Sequence, residues 1–554
     1  MKNIFRDSYS FVCLVGFLVT LAITPWVNSD SLVIPKLIIL FSVSLYLVPK
    51  VFTNRVKLFE NKLIRGTFYV CLLIIMHMLL VIISSEAPLE QQLFGRTGRG
   101  LGFFTQFALI IFLITSMIYV SYRGLKQVLF FIVLSGLVTS IYSILQRFGL
   151  DVFEWNTRTN GIIGTLGNPN FQSSFAAMVL IPSIALFWSN NKGRFISLFL
   201  CAPIIFLIYI SQSTQGYILG ISTIIFFTIL YFWFKSRYIS YNLILIAFVS
   251  GIFIIYGMLN KGPLSTLLFK GSVQSRGEFF RTGLSIASDN PFLGVGLDSI
   301  GDYYLMYRSE QDSRGIGEFT DHIHNSFLNN ASVGGYPFAL LQFSLIVIGL
   351  TSFILIQKRI GAFNKFFTAM FCAWICYQLQ SLISPENISM LLWNAILTGS
   401  IIGLTRYKSI LETDNPTYKK SEFQISQPFS NLFLLMGIIV IYPLFNVDKM
   451  QLMSIRTGNA NLAIESAISY PESTIRYSRI GQELIKSNLA PQALELGRAA
   501  ARFNPNAASA WGLILINNMA TVEERQTAKR ELLRLDPYNL EIQDLEIPNT
   551  SNQP

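Results

Sequence analysis

Two of the three histidines in this 554-residue chain stand two residues apart, His322 and His324 in FTDHIHNSFLNNASVGG. Imidazole is the side chain whose ordinary pKa, about 6.5, suits proton transfer near neutral pH. The pair could also be two ligands on an extended segment, with Asp321 and Glu318 beside them. A zinc site wants three or four ligands, however, and no third His and no Cys lies nearby. General base is the stronger chemical reading; the structural one is a polar helix entrance capped by Asn325 or Ser326. His77 sits in an apolar run, where an ionisable group signals function but is also explained by a neutral ring bonded to a neighbouring helix.

Arginines form a second collection. Arg276 and Arg281 lie five residues apart in SVQSRGEFFRTGLSIASDNPFLGVGLDS, on a predicted amphipathic helix. Arg96 and Arg99 lie in LFGRTGRGLGFF. Guanidinium forks suit phosphate oxygens, and Gly-rich turns let backbone N–H groups approach an anion. Snorkelling to lipid headgroups is the competing account. In TNGIIGTLGNPNF, Asn168 and Asn170 flank a proline just before an apolar run; they could bind sugar hydroxyls or an acceptor, or cap the helix.

The elements that must position these residues follow from composition. The chain is 52% hydrophobic and only 13% charged, against about 25% charge in soluble domains. That excludes extensive disorder and points to a polytopic all-α membrane bundle. Apolar runs near the spanning length of about 20 residues occur at 11–27, 32–49, 66–84, 101–120, 127–147, 171–188, 195–210, 216–234, 241–259, 337–356, 366–383, 389–405 and 431–447. These are about 12–13 spans. Cys13, Cys71, Cys201, Cys372 and Cys376 all fall in apolar runs without paired-ligand spacing and read as packing; no metal and no cofactor is expected.

Alternate loops differ sharply in charge. One set, from Lys2 and Arg6 through Lys50–Arg65, Arg123, Lys126, Lys192, Arg194, Lys235, Arg237, Lys358–Lys365 and Arg406–Lys420, carries twenty Lys and Arg; the other short loops hold only Arg96, Arg99 and Arg158. The basic set marks the cytoplasm, so the net charge of +11 reads as topology and not as a nucleic-acid surface. The N-terminus is then cytoplasmic, whereas the 260–336 segment and the chain after 448 are extracytoplasmic. Connections as long as 260–336 are usually functional. The tail, 449–554, has ordinary charge density, and Pro471, Pro505 and Pro537 recur in SYPES, FNPNA and LDPYN at intervals of 34 and 32 residues. That period matches tetratricopeptide-like (TPR-like) repeats and implies a protein-facing surface.

Four stretches together resemble the O-antigen ligase and polymerase superfamily of bacterial membrane glycosyltransferases, which includes the protein O-oligosaccharyltransferases. They are LFGRTGRGLGFF, LQRFGLDVFEWN with GTLGNPNFQSSFAAMVLIP, SRGEFFRTGLSIASDNPFLGVGLDSIGDYY and HIHNSFLNNASVGGYPFAL. QSLISPENISMLLWNAILTG looks like the hairpin that closes the domain. The resemblance implies a GT-C-like, metal-independent transferase in the bacterial inner membrane: residues 1–448 as the membrane domain, 260–336 as its outer catalytic loop and 449–554 as a TPR-like domain. It would move a glycan from a polyprenyl-diphosphate carrier onto a hydroxyl of a lipid, polysaccharide or protein acceptor. By position it makes His324 the general base, with His322 second. Arg276, Arg281, Arg99 and Arg96 become the diphosphate ligands, and Asn168, Asn170 and Asn325 the acceptor or glycan contacts.

One departure stands out. Many relatives read Ser-Arg-Gly between the seventh and eighth spans, but this chain has YISQSTQGYILG, with Thr214 and Gln215 and no arginine. Arg96, Arg99 or Arg147 would have to replace it. Ligation and polymerisation both stay open, with a slight lean toward a protein or surface-polymer acceptor. A flippase or transporter of lipid-linked sugar is the alternative of another class, and only Lys36 and His77 sit at the depth such a path would need.

Overall fold

The computed structural model of the protein describes residues 8–153, 155, 162–188, 191–314, 318–407 and 427–547. The basic residues Lys2, Arg6, Arg158, Lys408, Lys419 and Lys420 lie outside the described residues. Helices come first as α1 (Ser8–Leu21), α2 (Ile34–Thr53), α3 (Lys62–Ser84) and the short α4 (Leu89–Phe94). Next are α5 (Phe103–Tyr119), α6 (Gly124–Arg147), α7 (Pro169–Phe187), α8 (Asn191–Ile210), α9 (Thr214–Lys235) and α10 (Arg237–Met258). The long polar segment holds α11 (Ser265–Leu268), α12 (Gly271–Asp289), α13 (Ile300–Tyr307) and α14 (Glu310–Arg314). The bundle closes with α15 (Ser326–Ile360), α16 (Lys365–Ser381), α17 (Ile388–Gly403) and α18 (Gln427–Thr457). A run of shorter helices follows: α19 (Ala460–Ile468), α20 (Thr474–Lys486), α21 (Ala490–Phe503), α22 (Ala508–Leu515), α23 (Val522–Leu535) and α24 (Leu540–Gln543).

Each of the thirteen predicted spans falls on a helix, and among the described residues nine helices are long and apolar enough to cross a membrane. No strand occurs among the described residues, so this is an all-α, multi-pass bundle. Asn61, Asn168, Asn325, Asn364 and Asn387 start α3, α7, α15, α16 and α17, each side-chain oxygen accepting a backbone N–H of the first turn. The central helix is α17, nearly all of it buried, and its Gly399 and Gly403 let α5 approach to backbone contact. At the other extreme α10 buries almost none of its apolar surface within the protein. Water would not tolerate so large an apolar face, but lipid does.

The two charge classes of loop collect at opposite ends. At the basic end Arg406 reaches Glu60 and the carbonyl of Ile118, Arg359 donates to the Thr405 carbonyl, and Asn54 meets Tyr119. At the other end the 95–102 loop, the 290–325 segment, the 382–387 turn and the C-terminal helices meet one another. Both ionisable groups at depth are tied into the packing. Lys36 Nζ donates to the carbonyls of Thr20 and Thr165 and to Ser389 Oγ, and His77 Nε2 to the Gly334 carbonyl at 2.6 Å. The geometry supports the reading of His77 as a ring bonded to a neighbouring helix.

The tenth span departs from its predicted bounds of 337–356. α15 begins eleven residues earlier, at Ser326, so the polar NNASVGG run is already helical, and the helix breaks at Gly335, whose φ is +74°. The break frees carbonyls that would otherwise be buried unpaired. Val295 and Gly296 of the NPFLGVG turn donate to the carbonyls of Ser332 and Val333, and Tyr336 N–H reaches Pro291 O. Gly294 and Gly335 make this crossing possible, because a Cβ on either would lie 2.3–2.4 Å from the other segment's backbone.

Substituting Gly335→Ala should therefore destabilise the fold by more than the roughly 1–3 kcal/mol of a strained left-handed residue. Gly361→Ala, with a similar φ of +64° but no atom within 4 Å of the added carbon, should cost only about 1–2 kcal/mol. Thermal unfolding of both variants in detergent, compared with the parent, checks the order.

Candidate functional site

The site begins with α12. Its buried residues Ser275, Glu278, Phe279, Thr282, Gly283 and Ile286 follow helical spacing. They pack against α15 and the 318–325 segment: Ser332 Oγ donates to the Gly283 carbonyl, and Ile323 leaves no room for a side chain at Gly283. Five residues along a helix turn the side chain by about 140°, so Arg276 and Arg281 face different ways. Arg281 is 60% exposed and paired with Asp312 of α14, away from the histidines. Arg276 stands half-buried, with no ion-pair partner among the described residues and with its Nε buried and unbonded. Burial lowers its pKa from the ordinary guanidinium value.

The histidines have different places. His324 adopts a left-handed φ of +59°, which curls the chain so that its Nδ1 lies 2.9 Å from the His322 carbonyl. A carbonyl only accepts, so Nδ1 carries the proton and Nε2 keeps a free lone pair. The ring stacks on Phe279 at 5.0 Å. His322 is buried behind it, its Nδ1 accepting the His324 backbone N–H. Burial lowers His324 to about 4; the His322 carbonyl opposes that shift, and the Arg276 and Arg99 guanidiniums add to it. Burial first, then Arg99 and His324, holds His322 well below the ordinary imidazole range.

The Gly-rich arginine loop does not present its backbone to an external anion. The N–H groups of Arg96 and Leu101 donate to Asp298 Oδ2 at 2.7 and 3.0 Å, and Gly98 N–H to Asp30 Oδ2 at 3.0 Å. The nest is filled by the protein's own carboxylates. Arg96 is itself buried and paired with Asp302 at 2.7 Å, which takes it out of the predicted ligand set. Arg99 donates from Nε and Nη2 to Asp321 Oδ1 at 3.0 and 2.7 Å. Burial pushes Asp321 up, but Arg99 and Arg96 override it and hold the carboxyl at about 2. Burial lifts Asp298 to about 6 despite its two backbone donors.

Arg276, Arg99, His324 and Asn170 line one cavity of about 350 Å³, with Ser272, Ser275, Phe279, Glu318, Phe319, Thr320 and Asp321. Asn170 accepts from Ser213 Oγ there, which leaves its amide N–H groups for a ligand. Asn168 and Asn325 are helix caps, and Asn325 Nδ2 is also spent on the Leu382 carbonyl. Gln215 is buried and donates to Ser174 Oγ. A second, larger groove of about 670 Å³ runs between α5, α15, α16 and α17. It is lined mostly by apolar residues such as Leu340, Phe343 and Leu382, with Ser326 and Glu386 also on its wall. Burial raises Glu386 to about 7.

Phe279, Ser272 and Ser275 were legible as the helical neighbours of Arg276. Asp298, Asp302 and Glu386 carried no local signal, because each acquires its role only from a partner more than 80 residues away or from the groove wall. Among the described residues, no three His, Cys, Asp or Glu side chains form a group that could hold a metal, and all five cysteines are buried thiols.

Residues 176–343, from within α7 to within α15, match the model of the O-Antigen ligase family. The matched stretch contains Arg276, Arg281, His322, His324 and Asn325 and stops short of Arg96, Arg99, Asn168 and Asn170. No curated protein matches the chain.

An unpaired, half-buried guanidinium should govern anion affinity. Arg276→Gln is expected to weaken binding of inorganic diphosphate about tenfold or more, and Arg281→Gln less than about twofold. Calorimetry on the detergent-solubilised protein measures both.

Proposed function

We propose, from the O-Antigen ligase match across residues 176–343 and the chemistry of the smaller cavity, that the protein transfers a glycan from a polyprenyl-diphosphate carrier to an acceptor hydroxyl. The carrying observation is that Arg276, which has no ion-pair partner among the described residues, lines the same cavity as His324, whose Nδ1 donates to the His322 carbonyl and so leaves Nε2 as the acceptor of the neutral ring. A buried cation left unpaired is costly unless an anion completes it. Arg276 and Arg99 would hold the diphosphate and stabilise the charge it gains on leaving. His324 Nε2 would take the proton of the acceptor hydroxyl as its oxygen attacks the anomeric carbon. The bond from that carbon to the diphosphate oxygen breaks with its electron pair on the diphosphate, and configuration inverts. The imidazolium then loses its proton to solvent.

Burial and, after it, two guanidiniums disfavour the cation of His324 and make it poorly basic. A bound diphosphate reverses the local potential and raises the basicity of the ring when a base is needed. The 670 Å³ groove, with its apolar wall, suits the isoprenoid tail. The charge alternation of the loops favours the outer face of a bacterial inner membrane for this reaction, with the N-terminus cytoplasmic. On this reading residues 1–448 are a GT-C-like transferase domain, 260–336 its catalytic loop and 449–554 a TPR-like unit that favours a protein or surface-polymer acceptor. Lys36, with three acceptors at its Nζ, and His77, held by Nε2 to the Gly334 carbonyl, are tied into the packing, which favours a transferase over a transporter.

Transfer from purified polyprenyl-diphosphate glycan in detergent tests this. His324→Ala should lose at least about a hundredfold in kcat, and chelator should leave the parent rate unchanged. Because the base must be unprotonated, activity falls as pH drops through its pKa. The acid limb of kcat/KM should lie near pH 4, below the ordinary imidazole value, and that of kcat at higher pH, with donor bound. Full activity of His324→Ala would overturn the assignment.

A further inference from the structure

The three Pro turns singled out by their spacing all meet the arginine loop or the 302–308 stretch beside it. From SYPES, Ser473 Oγ meets Thr97 Oγ1 of the arginine loop at 2.7 Å. From FNPNA, Asn504 Nδ2 donates to Asp302 Oδ2 at 3.0 Å and Asn506 Nδ2 to the Tyr303 hydroxyl at 3.1 Å. From LDPYN, Asp536 accepts from Arg308 Nη2 at 2.8 and 3.0 Å, both side chains at least 90% buried. The C-terminal helices thus use one edge, the repeated turn, to grip the 95–102 loop and α13.

We propose that Asn504 is a positioning residue of the anion site: through Asp302 it fixes Arg96 and the loop that carries Arg99 to the cavity, so the C-terminal unit is a working part of donor binding. This rests on the reading of the cavity as a diphosphate site. The chain of contacts is short. Asp302 is 6% exposed and accepts from Arg96 at 2.7 Å, Gln91 at 2.8 Å and Asn504 at 3.0 Å. Asn504, 1% exposed, is itself locked, donating to Thr474 Oγ1 and accepting the Asn506 N–H. The N–H groups of Arg99 and Gly100 both donate to the Arg96 carbonyl at 2.9 Å, so the placement of Arg96 sets that of Arg99. A buried carboxylate that loses one of three donors is under-satisfied and relaxes toward another partner. Asn504 does not line the cavity and touches no reacting group.

The test uses the full chain in nanodiscs, with inorganic diphosphate as probe. Asn504→Leu should weaken diphosphate binding about fivefold, the equivalent of one hydrogen bond. It should also speed amide exchange at residues 96–101 while leaving exchange in α7 and α17 unchanged. In the transfer assay KM for the donor should rise with kcat nearly constant. A purely structural role would not produce the coupling expected next: the loss should be non-additive with Arg99→Gln and additive with Arg276→Gln. If Asn504→Leu does not fold, Asn504→Asp, equal in size but with a carboxylate facing Asp302, should show at least the same loss. Parent-like diphosphate affinity in either folded variant, or additivity with Arg99→Gln, overturns the proposal. A parent protein that binds diphosphate but transfers no glycan overturns the proposed function and leaves this coupling standing; a parent that does not bind diphosphate overturns both.

Discussion

The buried pair between Arg96 and Asp302 is the contact on which the polar end of the molecule depends. Taking two charges out of water costs several kcal/mol per ion unless further hydrogen bonds complete them. Here Gln91 and Asn504 complete the carboxylate, and the carboxylate of Asp321 lies 4.0 Å from Arg96 Nε. Those partners come from α4, the C-terminal helices and the histidine segment. Satisfying one ion pair therefore fixes the mutual placement of three stretches of chain that the spanning helices alone would leave loosely related.

That economy separates two kinds of arginine. Arg96, Arg281 and Arg308 are neutralised by Asp302, Asp312 and Asp536 and hold structure together. Arg99 is shared, paired with Asp321 yet lining the cavity, and Arg276 has no ion-pair partner among the described residues. The cavity thus holds two guanidiniums and the carboxylates of Asp321 and Glu318, and among the described residues only Arg99 and Asp321 are paired with each other. Burial, with the two guanidiniums adding to it, keeps the neighbouring imidazole neutral.

Much of this was legible residue by residue. All thirteen apolar runs fall on helices, nine of them among the described residues long and apolar enough to cross a membrane, because spanning length and apolar composition are local properties that lipid imposes on every segment alike. The caps at Asn168 and Asn325 followed from Asn at a helix entrance, and His77 from the cost of an unbonded imidazole at depth. The Gly-rich GRTGRG turn misled for a physical reason: the backbone geometry that would hold a phosphate is there, but Asp298 and Asp30, distant in sequence, occupy its N–H groups. Arg281 misled because its role turns on which side of α12 meets Asp312. The start of α15 at Ser326 was hidden by polar residues that are helical only because the NPFLGVG turn satisfies the broken end.

The sequence by itself therefore determined the helical membrane bundle, the charge alternation of its loops and the residue types available for chemistry, since these rest on short-range preferences and on the demands of the solvent. Only the tertiary structure decided which arginine of the cavity has no ion-pair partner among the described residues, which histidine faces the cavity and that the proline turns grip the arginine loop and the 302–308 stretch. Those outcomes depend on pairing between charges far apart in the chain, and Coulomb and hydrogen-bond partners are chosen by distance in space, which no local pattern encodes.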